Sequence, residues 1–369
     1  MHRMYIENFG PIKKFGFEIN DYTVVIGEEG SGTHTICALI YFFRTIKDEF
    51  IKDTSENIVD ISTANIKEII EKRFYDLFDN KTLFGRNSLI RYEYSEQIYI
   101  ALTLKHNNSI GIEISNTLDE NITSIFKPGY EQSYSKSILA SLFNDETSVV
   151  HIPSGWNLVN CLYNKLHDNS GIITDQLMTS LVGKLRHTQG DLHVGYLTAR
   201  DSITENLPVK KHYDLLIRTE NNLVLSVLSK ITEYNRKVFL IVEEPEIHLS
   251  PLAQTEMVDF LSRVIKATHS QLLMTTHSPY ILASFNNLIY ANSLGQRDEN
   301  REKISAIVDC DTWIDINKVS AFNMKDGGAA DIIDKDLNLI KVEEIDKASE
   351  KINQTFDELF ELDEVEERV

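Results

Sequence analysis

Val238-Phe239-Leu240-Ile241-Val242-Glu243-Glu244-Pro245-Glu246 is the stretch on which the reading of this chain turns. Five apolar residues follow one another without a polar interruption. A run of that kind marks a strand covered on both faces, as strands of parallel sheets are. It ends in two adjacent carboxylates. Two acids side by side at a buried strand end repel each other, and they are costly unless a cation or hydrogen-bond donors meet them. The pair suits a metal-assisted site that hydrolyses a phosphoanhydride. There the first acid supports a magnesium ion and its waters, and the second polarises the attacking water. The competing reading is an acidic approach to the helix expected from about Pro251 to Ala267, where the helix dipole favours negative charge.

Two further apolar runs stand at fitting distances. Gln271-Leu272-Leu273-Met274-Thr275 reads as a second buried strand, followed by Thr276-His277-Ser278-Pro279. A lone histidine is usually structural. One strand after an acid pair, His277 is expected to contact a terminal phosphate and the attacking water. Tyr22-Thr23-Val24-Val25-Ile26 is a third run, and Gly27-Glu28-Glu29-Gly30-Ser31-Gly32-Thr33-His34-Thr35 follows it. The next helix is apolar nearly all round, with Ile36, Leu39, Ile40, Phe42, Phe43 and Ile46, so it should pack on a sheet.

Strand, glycine turn and helix is the setting of a phosphate-binding loop, in which backbone N–H groups approach an anion at a helix N-terminus. The Walker A pattern would place Lys at Thr33 and Ser or Thr at His34. That Lys holds the outer phosphates and that hydroxyl ligates Mg²⁺. Thr33 brings no charge, and the Thr35 hydroxyl comes one residue late. Glu28 and Glu29 add negative charge beside any phosphate. Glycines placed for packing alone, at a strand–turn–helix corner, are the alternative.

The remaining elements complete an α/β pattern. Residues 1–26 read as three strands with a turn at Phe9-Gly10-Pro11. Residues 56–80 look helical, 89–115 antiparallel, and 130–190 mostly helical around a strand at Val149–Ile152. A hairpin is expected near 185–212 and a helix near 220–234. A C-terminal amphipathic helix, 342–362, carries Ile345, Ile352, Phe356, Leu359 and Phe360 on one face and is expected to dock on the body. Alternating apolar strands and helices argue for a largely parallel sheet. The sequence divides into 1–120 with the glycine turn and antiparallel strands, a mainly helical lobe at 121–200, the acid-pair and His277 half at 201–295, and a C-terminal extension at 296–369.

Composition narrows the function classes. The net charge is −19. Residues 343–369 hold 11 acids and 3 bases, so the rest of the chain carries −11. Nucleic acid is therefore not a favoured partner. No apolar run is long enough to span a membrane, and the N-terminus lacks a signal-peptide core. Cys37, Cys161 and Cys310 are far apart without CxxC spacing, which fits a reduced cytoplasm and neither a zinc site nor a disulfide framework.

Taken together, Phe239–Leu249, Thr275–Leu282 and the opening Ile6-Glu7-Asn8-Phe9-Gly10-Pro11-Ile12 resemble bacterial AAA/ABC-type ATPases of the overcoming-lysogenization-defect and SMC-head kind. Ile152-Pro153-Ser154-Gly155-Trp156 resembles an internal segment that usually reads Ile-Pro-Ala-Gly-Arg. The resemblance implies a P-loop NTPase fold with an ABC/SMC-head-like mixed sheet, an antiparallel part and a helical lobe. It implies ATP and Mg²⁺, with Glu243 at the metal, Glu244 and His277 catalytic, and Gly27, Gly30, Ser31, Gly32, Thr33, His34 and Thr35 at the nucleotide. It also implies a head-to-tail homodimer or a heterodimer with another ATPase head, an effector protein, and a setting in phage-defence operons.

The family's signature motif falls by spacing on Arg218-Thr219-Glu220-Asn221-Asn222, where Glu220 replaces a glycine that should face a phosphate. The Toprim nuclease half is missing, so Asp309 and Asp311 read as turn acids and a DNA-processing nuclease is the weakest reading. The expectation is an ATP-binding head with impaired or lost hydrolysis; a pseudo-ATPase scaffold that binds no nucleotide is the alternative.

Overall fold

A computed structural model describes residues 2–56, 63–78, 84–104, 109–125, 140–154, 228, 231–232, 237–296, 301–341 and 347–366. Along the chain come β1 (Arg3–Phe9), β2 (Ile12–Glu18), β3 (Tyr22–Gly27), α1 (Thr33–Glu56), α2 (Thr63–Leu77), β4 (Phe84–Glu93), β5 (Tyr99–Leu104), β6 (Ile110–Ile114) and α3 (Asn116–Ile125). Next are β7 (Ser148–Ile152), β8 (Val238–Glu243), α4 (Pro251–Thr268), β9 (Gln271–Thr276), α5 (Pro279–Gly295) and the short α6 (Arg301–Ser305). The chain closes with β10 (Val319–Lys325), β11 (Gly328–Asp331), a small pair β12 (Ile333–Asp334) and β13 (Leu339–Ile340), and α7 (Lys347–Glu366).

Two sheets carry the architecture. One has five strands in the order β2-β1-β4-β5-β6, antiparallel at every pairing. The other has the order β11-β10-β3-β9-β8-β7, parallel from β10 to β7 with β11 antiparallel at the edge. In the parallel sheet alternate residues face opposite sides. Val25, Phe239, Ile241 and Leu273 share one core with α1, α2 and the antiparallel sheet. Val24, Ile26, Leu240, Val242, Leu272 and Met274 share the other with α4 and α5. Helix α1 is apolar all round because it lies between the two sheets. Phe42 and Phe43 are fully buried in that layer, each contributing about 1.5–3 kcal/mol relative to an exposed ring.

Charge is buried in the same layer. Arg44 on α1 stacks on the Phe239 ring, its guanidinium 3.9 Å from the centroid. Asp145 pairs with Arg44 at 3.1 Å and with Lys47 at 2.9 Å. Burial pushes the Asp145 carboxyl up, but Arg44 and Lys47 outweigh it and hold it below the usual carboxylate range. Lys47 is lowered, chiefly by burial.

Two features differ from the sequence reading. Residues 319–331 add β10 and β11 to the parallel sheet, with β10 directly beside β3 in register Val319↔Tyr22 to Met324↔Gly27. Only two of the seven β10 residues, Asn323 and Lys325, are strongly polar, yet its mixed Ser-Ala-Phe-Asn composition hides a buried strand. The C-terminal helix forms, but Ile352, Phe356, Leu359 and Phe360 are all exposed, so this stripe is not docked. Phe356 and Phe360 stack on each other, one helical turn apart. The expected hairpin near 185–212 lies outside the described residues, and of the helix near 220–234 only Leu228, Ile231 and Thr232 are described, all three helical.

Candidate functional site

Strands β3, β9 and β8 are parallel neighbours that end together: Ile26 pairs with Thr276, and Glu243 with Thr275. Their carboxyl ends release three loops at one edge of the sheet, the Gly27–Gly32 turn, the Thr276–Ser278 turn and the Glu243–Glu246 turn. In open α/β sheets this edge is where ligands bind.

The first loop turns through Gly30 at φ +79° and Gly32 at φ +108°. Ser31 N donates to Glu28 O at 3.0 Å, and Ile36 N to Gly32 O at 3.0 Å opens α1. The three glycines are needed for different reasons. A Cβ on Gly27 would meet Ser31 Oγ and the Cβ of Met324 on β10. One on Gly32 would lie 2.8 Å from Ile12 Cγ1 and 3.1 Å from Pro11 Cγ. One on Gly30 would meet nothing within 4 Å. Packing thus accounts for Gly27 and Gly32, while Gly30 faces open space. Ser31 Oγ is buried there with no hydrogen-bond partner. Thr33 and His34 are the first two residues of α1.

Glu243 ends β8 almost wholly buried, at 2% exposure. Its two oxygens are each taken by an imidazole: Oε2 by His34 Nδ1 at 2.7 Å and Oε1 by His151 Nε2 at 2.6 Å. Burial pushes this carboxyl up, but hydrogen bonds from His151 and His34 outweigh it and bring it down to about 2. His151 comes from β7, whose residues Ser148–Ile152 pair with Val238–Val242. It was not among the residues the sequence pointed to. Its only signal there was a polar residue inside the apolar run Val149-Val150-His151-Ile152.

The second acid is held differently. Glu244 has φ +48°, in the left-handed region where a residue other than glycine is uncommon. Its N–H donates to Thr275 O at 3.0 Å. The turn brings Glu244 Oε1 to 2.9 Å from His277 Nε2, with both side chains partly solvent-accessible. Glu246 ties the loops together: its Oε1 accepts from His277 N at 2.6 Å and from Thr276 Oγ1 at 2.9 Å. Burial is the main cause of its raised carboxyl. Helices α4 and α5 start behind these turns with matching caps. Ser250 Oγ accepts from Ala253 N, Ser278 Oγ accepts from Tyr280 N and Ile281 N, and Pro251 and Pro279 occupy the first helical positions.

Magnesium does not fit this donor set. Mg²⁺ requires octahedral oxygen ligands at about 2.0–2.1 Å. Here the buried carboxylate is engaged on both oxygens by nitrogen, and no hydroxyl stands at position 34. A carboxylate–imidazole pair, Glu244 and His277, remains able to orient or deprotonate a water. Arg218, Thr219, Glu220, Asn221, Asn222 and Trp156 lie outside the described residues. Asp309 and Asp311 are turn groups. Asp309 Oδ1 accepts from Asp311 N at 3.0 Å, and Arg263 on α4 pairs with Asp309 at 3.0 Å and Asp311 at 3.4 Å. A cleft of about 300 Å³ on the antiparallel sheet is lined by Arg3, Glu18, Arg91 and Glu93, which pair with one another.

Residues 219–282 match the family model of the AAA ATPase domain, a span that contains the acid pair and His277. No curated protein matches the chain. Among solved structures, the SMC head domain from Thermotoga maritima is similar at 10% identity with a TM-score of 0.39, over 89% of this chain and 97% of that one. The Smc head domain with an extended coiled coil bound to the C-terminal domain of ScpA, derived from Pyrococcus furiosus, is similar at 10% identity with a TM-score of 0.36, over 96% of this chain and 100% of that one. Likeness at that level is distant. The likeness to an AAA ATPase domain thus covers residues 219–282, set in a mixed α/β architecture. No helix among the described residues is long and apolar enough to cross a membrane.

Proposed function

We propose that this chain is a nucleotide-binding head of the ATPase family whose hydrolysis is impaired or lost, and that it acts as a subunit of a larger assembly. One observation carries the reading. Glu244 and His277, the pair this reading takes as hydrolytic, lie 2.9 Å apart, while His34, at the position where Walker A would place a metal-binding hydroxyl, is bonded to Glu243. The machinery that would position water is kept, and the machinery that would grip the phosphates and cation is replaced. A lysine–phosphate contact is charge-assisted and contributes about 1.5–3 kcal/mol; Thr33 cannot make it. Pairing with another ATPase head is the arrangement this reading expects, with ATP as the ligand.

A second reading, a scaffold that binds no nucleotide, has its own support. Packing alone accounts for Gly27 and Gly32, and Glu28 and Glu29 are exposed at the loop mouth, where they repel phosphate. Calorimetry with ATP and a turnover assay, run beside Glu244→Gln, separate the two. Binding with turnover far below 1 s⁻¹, a low value on the usual enzyme scale of about 1–10³ s⁻¹, supports the proposal. Brisk turnover abolished by Glu244→Gln refutes the loss of hydrolysis, and no binding at millimolar ATP favours the scaffold.

A further inference from the structure

His34 on α1 and His151 on β7 share the buried carboxylate at the end of β8. We infer that His34 and His151 take the place of the divalent cation: they satisfy and orient Glu243, so the site excludes the cation, and a phosphate ligand at the Gly27–Thr35 loop is bound as the free anion. The statement about the phosphate ligand rests on the nucleotide-binding reading above; the statement about the cation does not.

The geometry argues for this in three steps. First, Glu243 is buried and would be costly if left unpaired. Each of its oxygens has a nitrogen partner at hydrogen-bond distance, 2.7 Å to His34 Nδ1 and 2.6 Å to His151 Nε2. The carboxylate is therefore satisfied before any ion arrives. Second, His151 is locked. Its side chain is 3% exposed, and its ring lies 5.3 Å from that of Tyr41 on α1. Its other nitrogen, Nδ1, is buried with no hydrogen-bond partner. A neutral imidazole that donates from Nε2 leaves Nδ1 a bare acceptor. If an ion took Nε2, the ring proton would move to Nδ1 and become a buried donor with nothing to accept it, which is the costlier arrangement. This opposes nitrogen-preferring ions such as Zn²⁺, while Mg²⁺, which takes oxygen ligands, is opposed by the engagement of both Glu243 oxygens. Third, the two histidines come from separate elements, α1 and β7, and both meet the end of β8. The bridge ties these elements together at the ligand edge of the sheet, which is the mechanical task a bound ion performs in a metal site.

The experiment is direct cation binding to the full chain, with paramagnetic Mn²⁺ as the probe and ATP present or absent. The variants are His34→Ser, His34→Thr as a second choice of hydroxyl, and each combined with Glu243→Gln. His34 is 57% exposed, so both single changes are compatible with a folded chain. The expected result is no Mn²⁺ held by the unaltered protein and a gain of at least about tenfold in affinity for either hydroxyl variant, lost again on adding Glu243→Gln. Mn²⁺ or Zn²⁺ bound tightly by the unaltered protein and released by Glu243→Gln would overturn the inference. So would folded hydroxyl variants that gain nothing. In parallel, ATP affinity is compared in Mg²⁺ and in EDTA. Affinities equal within about twofold support anion binding without metal, and a preference of about tenfold for Mg²⁺ refutes it. ATP binding in neither condition refutes the nucleotide reading, and the Mn²⁺ comparison still decides the role of the histidines.

Discussion

Alanine at Gly32 and alanine at Gly30 should have unequal consequences, and the structure says by how much. At Gly32 the backbone has φ +108°, outside the left-handed well that other residues tolerate. Strain of that kind costs about 1–3 kcal/mol. The added Cβ would also lie 2.8 Å from Ile12 Cγ1 and 3.1 Å from Pro11 Cγ. Ile12 is 1% exposed in the core and Pro11 has a rigid ring, so neither yields easily. Overpacking adds about 1–3 kcal/mol, for a combined loss of about 2–6 kcal/mol. At Gly30 φ is +79° and the Cβ meets nothing within 4 Å. Only the backbone term remains, about 1–2 kcal/mol. Urea denaturation of both variants, checked for unchanged slope, measures the difference. A midpoint shift for Gly32→Ala at least about twice that for Gly30→Ala is expected from these figures. Equal shifts, or a larger one at Gly30, would show that the loop in solution lacks this geometry. The same pair informs the ligand question. A methyl at Gly30 projects into the open space before the loop, so Gly30→Ala should weaken ATP binding more than its small stability cost explains.

Other outcomes follow from the same structure. Asp145→Asn should cost about 3–5 kcal/mol, because it leaves Arg44 and Lys47 buried without their anion; a melting temperature within about 2 °C of the parent would refute this for a chain of this size. Since the Asp145 carboxyl is lowered on folding, its contribution is present above its ordinary value of 3.8 and is lost as pH falls from there towards the lower folded value; acid denaturation profiles of parent and Asp145→Asn should converge in that window. Thr33→Lys with His34→Ser should strengthen Mg-ATP binding over the parent, measured by calorimetry, and none at millimolar ATP in a folded variant would mean that the loop is closed to phosphate. Deleting residues 343–369 should leave the melting temperature nearly unchanged, because the Ile352, Phe356, Leu359 and Phe360 stripe is exposed; a clear drop would mean that the helix docks after all.

The local features were legible in the residues themselves. Burial on both faces writes a continuous apolar run, so Tyr22–Ile26, Val238–Val242 and Leu272–Met274 could be read as strands of one parallel sheet. A glycine turn between such a strand and an apolar helix is contained in about a dozen residues, and so is the acid pair. Glu244 and His277 stood out by their positions after adjacent runs, but their pairing appears only in the folded chain. Thr33 and His34 stand, by sequence alone, where the Walker A pattern would place a lysine and a hydroxyl.

Tertiary structure decided what those residues meet. Periodicity reveals that a side chain is buried without revealing its neighbour, because the neighbour is set by long-range closure of the chain. So β10 joins β3 across almost 300 residues, as the register Val319↔Tyr22 shows. His151 reaches Glu243 from 92 positions away and changes that carboxylate from an apparent metal ligand into the centre of a two-histidine bridge. Gly27 and Gly32 proved to answer Met324, Ile12 and Pro11, which no local pattern contains. The stripe on α7 has helical spacing whether or not anything covers it, and only the folded chain shows that nothing among the described residues does. An amphipathic pattern records that a helix has an apolar face; the surface that face meets is a property of three-dimensional packing.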